Sequence, residues 1–238
     1  TETYKPVSIK ITDGSTGTLI SETSDSEYDF SDLLKSKKSL TYLFMGDSIT
    51  HGVVTNGYDN VPQLFAKYLD ELGRKDDVVI NTGVSNATIA TTLDQIETRL
   101  KRYQPDVAVI MLGTNDSKAM YGHSPFTISD AMDRTIKLMQ SPLLWSNTMQ
   151  KPQILLVAPP KMGENLAASV YYGMFDESSA ALIRALPARF RTLAEKYGCA
   201  FVDGSAVTAA KCSDQIHLTA EEHAVLGRLI ADKLRKLL

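Results

Sequence analysis

Ser48 stands in the stretch GDSITHG (46–52), directly behind the mostly apolar run LTYLFM (40–45). A serine hydroxyl is a poor nucleophile until a base takes its proton. The surrounding turn offers small residues, an acid (Asp47) and a histidine (His51). The same residues also suit a strand end followed by a serine helix cap, so this stretch alone decides nothing. Small and polar residues gather at four further places: TGVSNAT (82–88), GTND (113–116), PPKMGENLAASVYYGMFDE (159–177) and SDQIHLT (213–219). Serine, histidine and carboxylates brought together in such loops are the residue types of nucleophilic acyl transfer.

Each of these clusters borders an element that must position it. The apolar runs predict strands over 40–45, 77–81, 106–112, 153–158 and 200–203. Helical periods predict helices over about 60–72, 88–102, 127–141, 178–197 and 219–237, with Pro187 expected to kink or split the fourth. The last helix carries the stripe Ala224, Leu226, Leu229, Ile230, Leu234 and Leu237, with Thr219 as N-cap and Glu221 and Glu222 in its first turn. Alternating strands and helices imply right-handed crossovers, a parallel sheet and helices on both faces, an α/β protein. Sites in such sheets lie beyond the carboxyl ends of the strands, where these clusters fall. Residues 1–38 stand apart: VSIKI (7–11) could be a strand, TDGSTGT reads as a turn, and SETSDSEYDFSD is acidic and polar. The expectation is an N-terminal extension packing on the domain, or a linker from a larger protein, followed by one domain over 39–238.

The four blocks Gly46-Asp47-Ser48, Gly83, Gly113-Thr114-Asn115-Asp116 and Asp214-x-x-His217 are similar in order and spacing to the SGNH, or GDSL, hydrolases. VIMLGTND and LLVAPP further resemble the arylesterase and acetylesterase branch and bacterial carbohydrate esterases. The resemblance implies a three-layer α/β/α sandwich of flavodoxin-like type and a serine esterase acting on short-chain, chiefly acetyl, esters. It makes Ser48 the nucleophile, His217 the base and Asp214 the residue that fixes the imidazole. It also makes the N–H of Ser48, the N–H of Gly83 and the side-chain amide of Asn115 the oxyanion donors. Asp47 and Asp116 read as structural, accepting backbone hydrogen bonds and buttressing a loop; Asp203 reads as structural too. His51, Met162, Tyr171 and Tyr172 are the candidates for substrate contact, Met174 and Phe175 sharing the loop 159–177 with three of them. His123 and His223 read as solvated.

Other classes are less favoured. With 25 Lys and Arg against 28 Asp and Glu, the net charge is −3, and Lys35, Lys37 and Lys38 make only a short basic cluster. That argues against a nucleic-acid surface. No apolar run approaches the roughly 20 residues that span a bilayer. No metal or cofactor is expected: His217 and His223 lie six apart across a helix start, and MGDSITHG fits neither phosphate-binding glycine pattern. Cys199 and Cys212 are too few for a disulfide framework, and their pairing is open. Residue 1 is Thr, which reads as a processed or trimmed chain whose signal peptide would be invisible. Compartment is open, with a secreted or cell-surface bacterial setting placed ahead of the cytoplasm; so is oligomeric state. The expected partner is a small-molecule or glycan ester. The competing readings are a lipid-directed esterase or thioesterase with the same triad, and a glycan-binding module without activity.

Overall fold

The computed structural model describes residues 9–12, 19–23, 33, 35, 39–145 and 151–235. Five parallel strands form the central sheet: β3 (Thr41–Gly46), β4 (Val78–Asn81), β5 (Val107–Met111), β6 (Gln153–Ala158) and β7 (Ala200–Asp203). Their spatial order is β4-β3-β5-β6-β7. The order of winding therefore reverses between β3 and β5, the switch point at which doubly wound sheets open a crevice. β1 (Ile9–Thr12) and β2 (Leu19–Thr23) make a separate antiparallel hairpin. β1 overlaps the expected VSIKI strand, whereas β2 takes in Ser21, Glu22 and Thr23 from the segment read as polar and acidic. Most of the expected turn between them lies outside the described residues.

Six helices connect and cover the sheet among the described residues. They are α1 (Ser48–His51), α2 (Val61–Glu71), α3 (Ile89–Tyr103), α4 (Pro125–Gln140), α5 (Glu177–Tyr197) and α6 (Ala220–Arg235). Side chains alternate across a strand, so successive residues of β3 enter opposite layers. Tyr42 and Phe44 pack with Phe65 and Leu69 of α2 and Leu226, Ile230 and Leu234 of α6. Leu43 and Met45 pack with Ile96 and Leu100 of α3, Met132 and Ile136 of α4, and Ile183 and Phe190 of α5. The result is the three-layer α/β/α sandwich.

Pro187 does not split α5, which runs through it for 21 residues. Proline removes one N–H from the helical ladder. Here Pro187 is itself buried beside Ile183, Leu186 and Phe190, so packing holds the helix across the lost bond. At the start of α6 a capping box forms: Thr219 N–H donates to Glu222 Oε2 at 2.8 Å, and Glu222 N–H donates to Thr219 Oγ1 at 3.4 Å. Leu237 of the predicted stripe lies outside the described residues, while Leu226, Ile230 and Leu234 are fully buried. Cys199 and Cys212 are both buried free thiols.

Candidate active site

β3 ends at Gly46 and the chain turns at once into the four-residue helix α1. Asp47 caps that turn by accepting the Ile49 N–H at 2.9 Å. Burial pushes the Asp47 carboxyl up to about 6, against the lowering effect of the Ile49 N–H and of His217. This short turn lifts Ser48 above the carboxyl edge of the sheet. From the far end of the chain, the segment between β7 and α6 brings in Asp214 and His217. Ser48 Oγ and His217 Nε2 stand 2.8 Å apart, and His217 Nδ1 lies 2.7 Å from Asp214 Oδ2.

Asp214 is held from several sides. Its Oδ1 accepts the backbone N–H groups of Ile216 (3.0 Å) and His217 (2.9 Å), and its carbonyl accepts the Ser169 hydroxyl at 2.5 Å. Burial raises the Asp214 carboxyl, but those two N–H groups and the imidazole outweigh it and hold the group below its ordinary value. An ionised Asp214 beside Nδ1 fixes the tautomer in which Nε2 is free to accept the serine proton. The arrangement can activate a hydroxyl.

A cavity of about 250 Å³ opens over this relay. Ser48, His217, Asn86 and Asn115 supply polar groups, and Val53, Tyr171, Met174, Phe175 and Ile216 supply apolar wall. Asn115 arrives from β5 through Gly113, whose φ of +125° is a backbone conformation that favours glycine. One hydrogen of its amide donates to the Ala87 carbonyl at 3.0 Å, leaving the second for the cleft. Asp116 accepts the Ile89 N–H at 3.1 and 3.2 Å, which ties the GTND turn to the start of α3; burial raises its carboxyl to about 6.

Several expected residues fall elsewhere. Gly83 does not line the cavity: its N–H donates to Asn81 Oδ1 at 2.9 Å. A Cβ there would sit 2.5 Å from the His51 nitrogen, so its glycine lets the loop pack behind α1. Asn86, three residues on, lines the cavity instead, with φ of +66° and no backbone partner for its N–H among the described residues. His51 is exposed at the end of α1 and Tyr172 is exposed on its loop; neither lines the cavity. Met162 is buried in the core with Leu166 and Ile216. Tyr171 does face the site, its ring edge-on to His217 at 6.1 Å between centroids.

Neither of the remaining histidines is solvated as expected. His123 is half-buried, its Nδ1–H donating to the Asp116 carbonyl 2.9 Å away. His223 is 1% exposed, and burial together with His217 lowers it to about 4. Asp203 accepts the Ser205 N–H, a local structural role. Among the described residues no group of three or more His, Cys, Asp or Glu side chains is placed to hold a metal ion, and no helix is long and apolar enough to cross a membrane.

Solved structures of the same shape carry esterase names. A carbohydrate acetylesterase family member from Sinorhizobium meliloti is 27% identical with a TM-score of 0.72, covering 84% of this chain and 99% of that one. The aryl esterase of M. smegmatis has the same fold at 24% identity and a TM-score of 0.70, covering 84% and 100%. A curated protein of Mycoplasma pneumoniae, itself uncharacterized, is 45% identical over 87 residues. That match spans 36% of this chain and 10% of the relative, so the chain covers about a tenth of that protein's length. The family model of the GDSL-like lipases and acylhydrolases matches residues 44–225, a span that takes in Ser48, Asn115, Asp214 and His217. The chain therefore belongs to the GDSL-like lipase/acylhydrolase family, the SGNH hydrolases, whose class is that of carboxylic ester hydrolases.

Proposed function

We propose that this chain removes short acyl groups, chiefly acetyl, from O-acetylated carbohydrates through an acyl-enzyme on Ser48. The observation that carries this reading is the Oγ–Nε2–Nδ1–Oδ2 relay, with contacts of 2.8 and 2.7 Å, opening onto a cavity of about 250 Å³. That volume lies below the roughly 300–1,000 Å³ of sites for drug-sized ligands. His217 takes the Ser48 proton at Nε2 as Oγ attacks the ester carbonyl. Asp214 stabilises the imidazolium without taking a proton. The carbonyl oxygen becomes negative and meets the N–H of Ser48, the N–H of Asn86 and the free hydrogen of the Asn115 amide. His217 then protonates the departing alcohol, and water repeats the cycle to free the acid. The carbohydrate part of the reading draws on the acetylesterase relative from S. meliloti.

A panel of p-nitrophenyl esters, with acetate release from an O-acetylated sugar, tests it. Turnover is expected to be highest for acetyl and to fall with chain length. A maximum at eight or more carbons would move the assignment to a lipid-directed esterase, which the apolar wall of Val53, Met174 and Ile216 would serve. No turnover of any ester, with Ser48 unlabelled by a fluorophosphonate, would leave a glycan-binding module.

A further inference from the structure

Lys118 is an unusual lysine. It is 7% exposed, and among the described residues its Nζ forms no ion pair with a carboxylate. Its Nζ donates instead to a neutral acceptor, Asn86 Oδ1, at 3.1 Å, and lies 5.6 Å from the centroid of the Phe175 ring. Its backbone N–H donates to the Asn115 carbonyl at 3.3 Å. One residue thus touches three separate segments of the cavity wall: the 84–87 turn, the GTND turn and the loop after β6. Removing an ammonium group from water is costly unless it is well partnered. A stem reaching outward to solvent would be cheaper, since lysines commonly bury the stem and keep the head wet.

What the inward course of Lys118 achieves is visible at Asn86. Asn86 is a non-glycine residue at φ +66° that lines the cavity, and its N–H has no backbone partner among the described residues. Asparagine tolerates the left-handed region, but nothing in its own side chain selects that state over an ordinary turn. The Nζ–Oδ1 bond supplies the selection, because the amide is anchored to a residue that is itself buried and tied to Asn115. We infer that Lys118 is a positioning residue for the oxyanion site, clamping Asn86 through its side-chain oxygen so that the Asn86 N–H is preset beside the Asn115 amide. Preset donors act where charge develops and cost no reorganisation at that moment, so the clamp should act on kcat. The inference rests on the reading that Ser48 is acylated at this site.

A double-mutant cycle tests it. Lys118→Met keeps the apolar stem and removes the donor; Asn86→Gly removes the acceptor and is at ease at positive φ. kcat and KM for p-nitrophenyl acetate are measured per active site, titrated with a fluorophosphonate, alongside the melting temperature. Each single variant is expected to lose about 10- to 100-fold in kcat with KM within about threefold, and the double variant should be no worse than the poorer single. A purely structural lysine would instead lower the melting temperature and the number of titratable sites while leaving kcat per site intact. That result, a loss confined to KM, or losses that multiply in the double variant would overturn the inference. Should Lys118→Met fail to fold, Asn86→Gly decides, since full kcat without the acceptor leaves the clamp nothing to do. Ser48→Ala, its rate taken per folded protein because it has no hydroxyl to titrate, separates the two readings: if it keeps its activity the acyl-enzyme itself falls, whereas multiplying losses beside an inert Ser48→Ala sink the clamp alone.

Discussion

Asn115 gives one amide hydrogen to the Ala87 carbonyl and keeps the other for the cavity, which makes it the cleanest residue on which to test charge stabilisation apart from the relay. Loss of one such donor typically costs about 10²–10³ in rate. Asn115→Ala should therefore lower kcat by about that factor with KM near its original value, and Asn115→Asp should be at least as damaging, as an ionised carboxylate has no proton to give. Steady-state kinetics on both variants checks this; normal kcat with raised KM would make Asn115 a binding residue. Within the relay the effects should not multiply. Ser48→Ala and His217→Ala should each abolish turnover, with the pair no worse than either, because they act as one unit. Asp214→Asn should cost about 10²–10⁴ in kcat, since it orients rather than reacts. The proposed triad could be read from residue types because few side chains can play those parts. The proposed second oxyanion donor, the Asn86 N–H, could not. A backbone N–H is available from any residue but proline, and its place depends on the course of the turn, in which Asn86 adopts a positive φ without being glycine. Met162 shows the converse difficulty, as core and cleft wall recruit the same side chains.

Carboxylates serve opposite ends of the strands in different ways. At the amino edge, Asp77 accepts the Leu40 N–H and Asp106 the Thr41 N–H, both at 2.9 Å, so they cap the start of β3. At the carboxyl edge, Asp116 joins the turn after β5 to the first N–H of α3, and does so from a site only 3% exposed. A carboxyl raised from 3.8 to about 6 binds its proton more tightly folded than unfolded. Its contribution to stability is then greatest below about pH 4 and falls as pH rises through about 6, by up to about 3 kcal/mol. Asp116→Asn keeps an acceptor for Ile89 but cannot ionise. The variant should gain on the wild type by up to that amount between pH 4 and 7 in urea unfolding; a difference constant with pH would remove the ionisation from the account. The element boundaries follow the apolar runs closely, because buried parallel strands have little choice of composition. β2 escaped because Ser21, Glu22 and Thr23 carry no apolar alternation to mark a strand. Pro187 misled for a related reason: the cost of proline is local, but the packing that holds α5 together is not.

Across the whole molecule, stability and chemistry occupy different places. Ile154 is buried in the layer between the sheet and α3, α4 and α5, at the amino end of β6 and away from the carboxyl edge. Ile154→Ala should cost about 2–5 kcal/mol in denaturant unfolding, yet leave kcat per titrated site unchanged; a lost kcat in fully folded protein would mean that the core reaches the site. The three-layer order was open to inference from alternation alone, whereas the wall of the cavity was not. It is assembled from loops whose course depends on tertiary contacts such as the Ala119 N–H on the Met174 carbonyl, 3.0 Å. One further consequence lies in time. Ser48 and His217 are 169 residues apart in the chain yet 2.8 Å apart in space. At about 5–20 residues per second of synthesis, Ser48 is added to the chain roughly 8 to 34 s before its base. During that interval the nascent chain has a serine but no means of taking its proton. The enzyme cannot be acylated by a reactive ester until the segment that carries its base has been made and docked, so the order of the sequence keeps the nucleophile silent until the fold can use it.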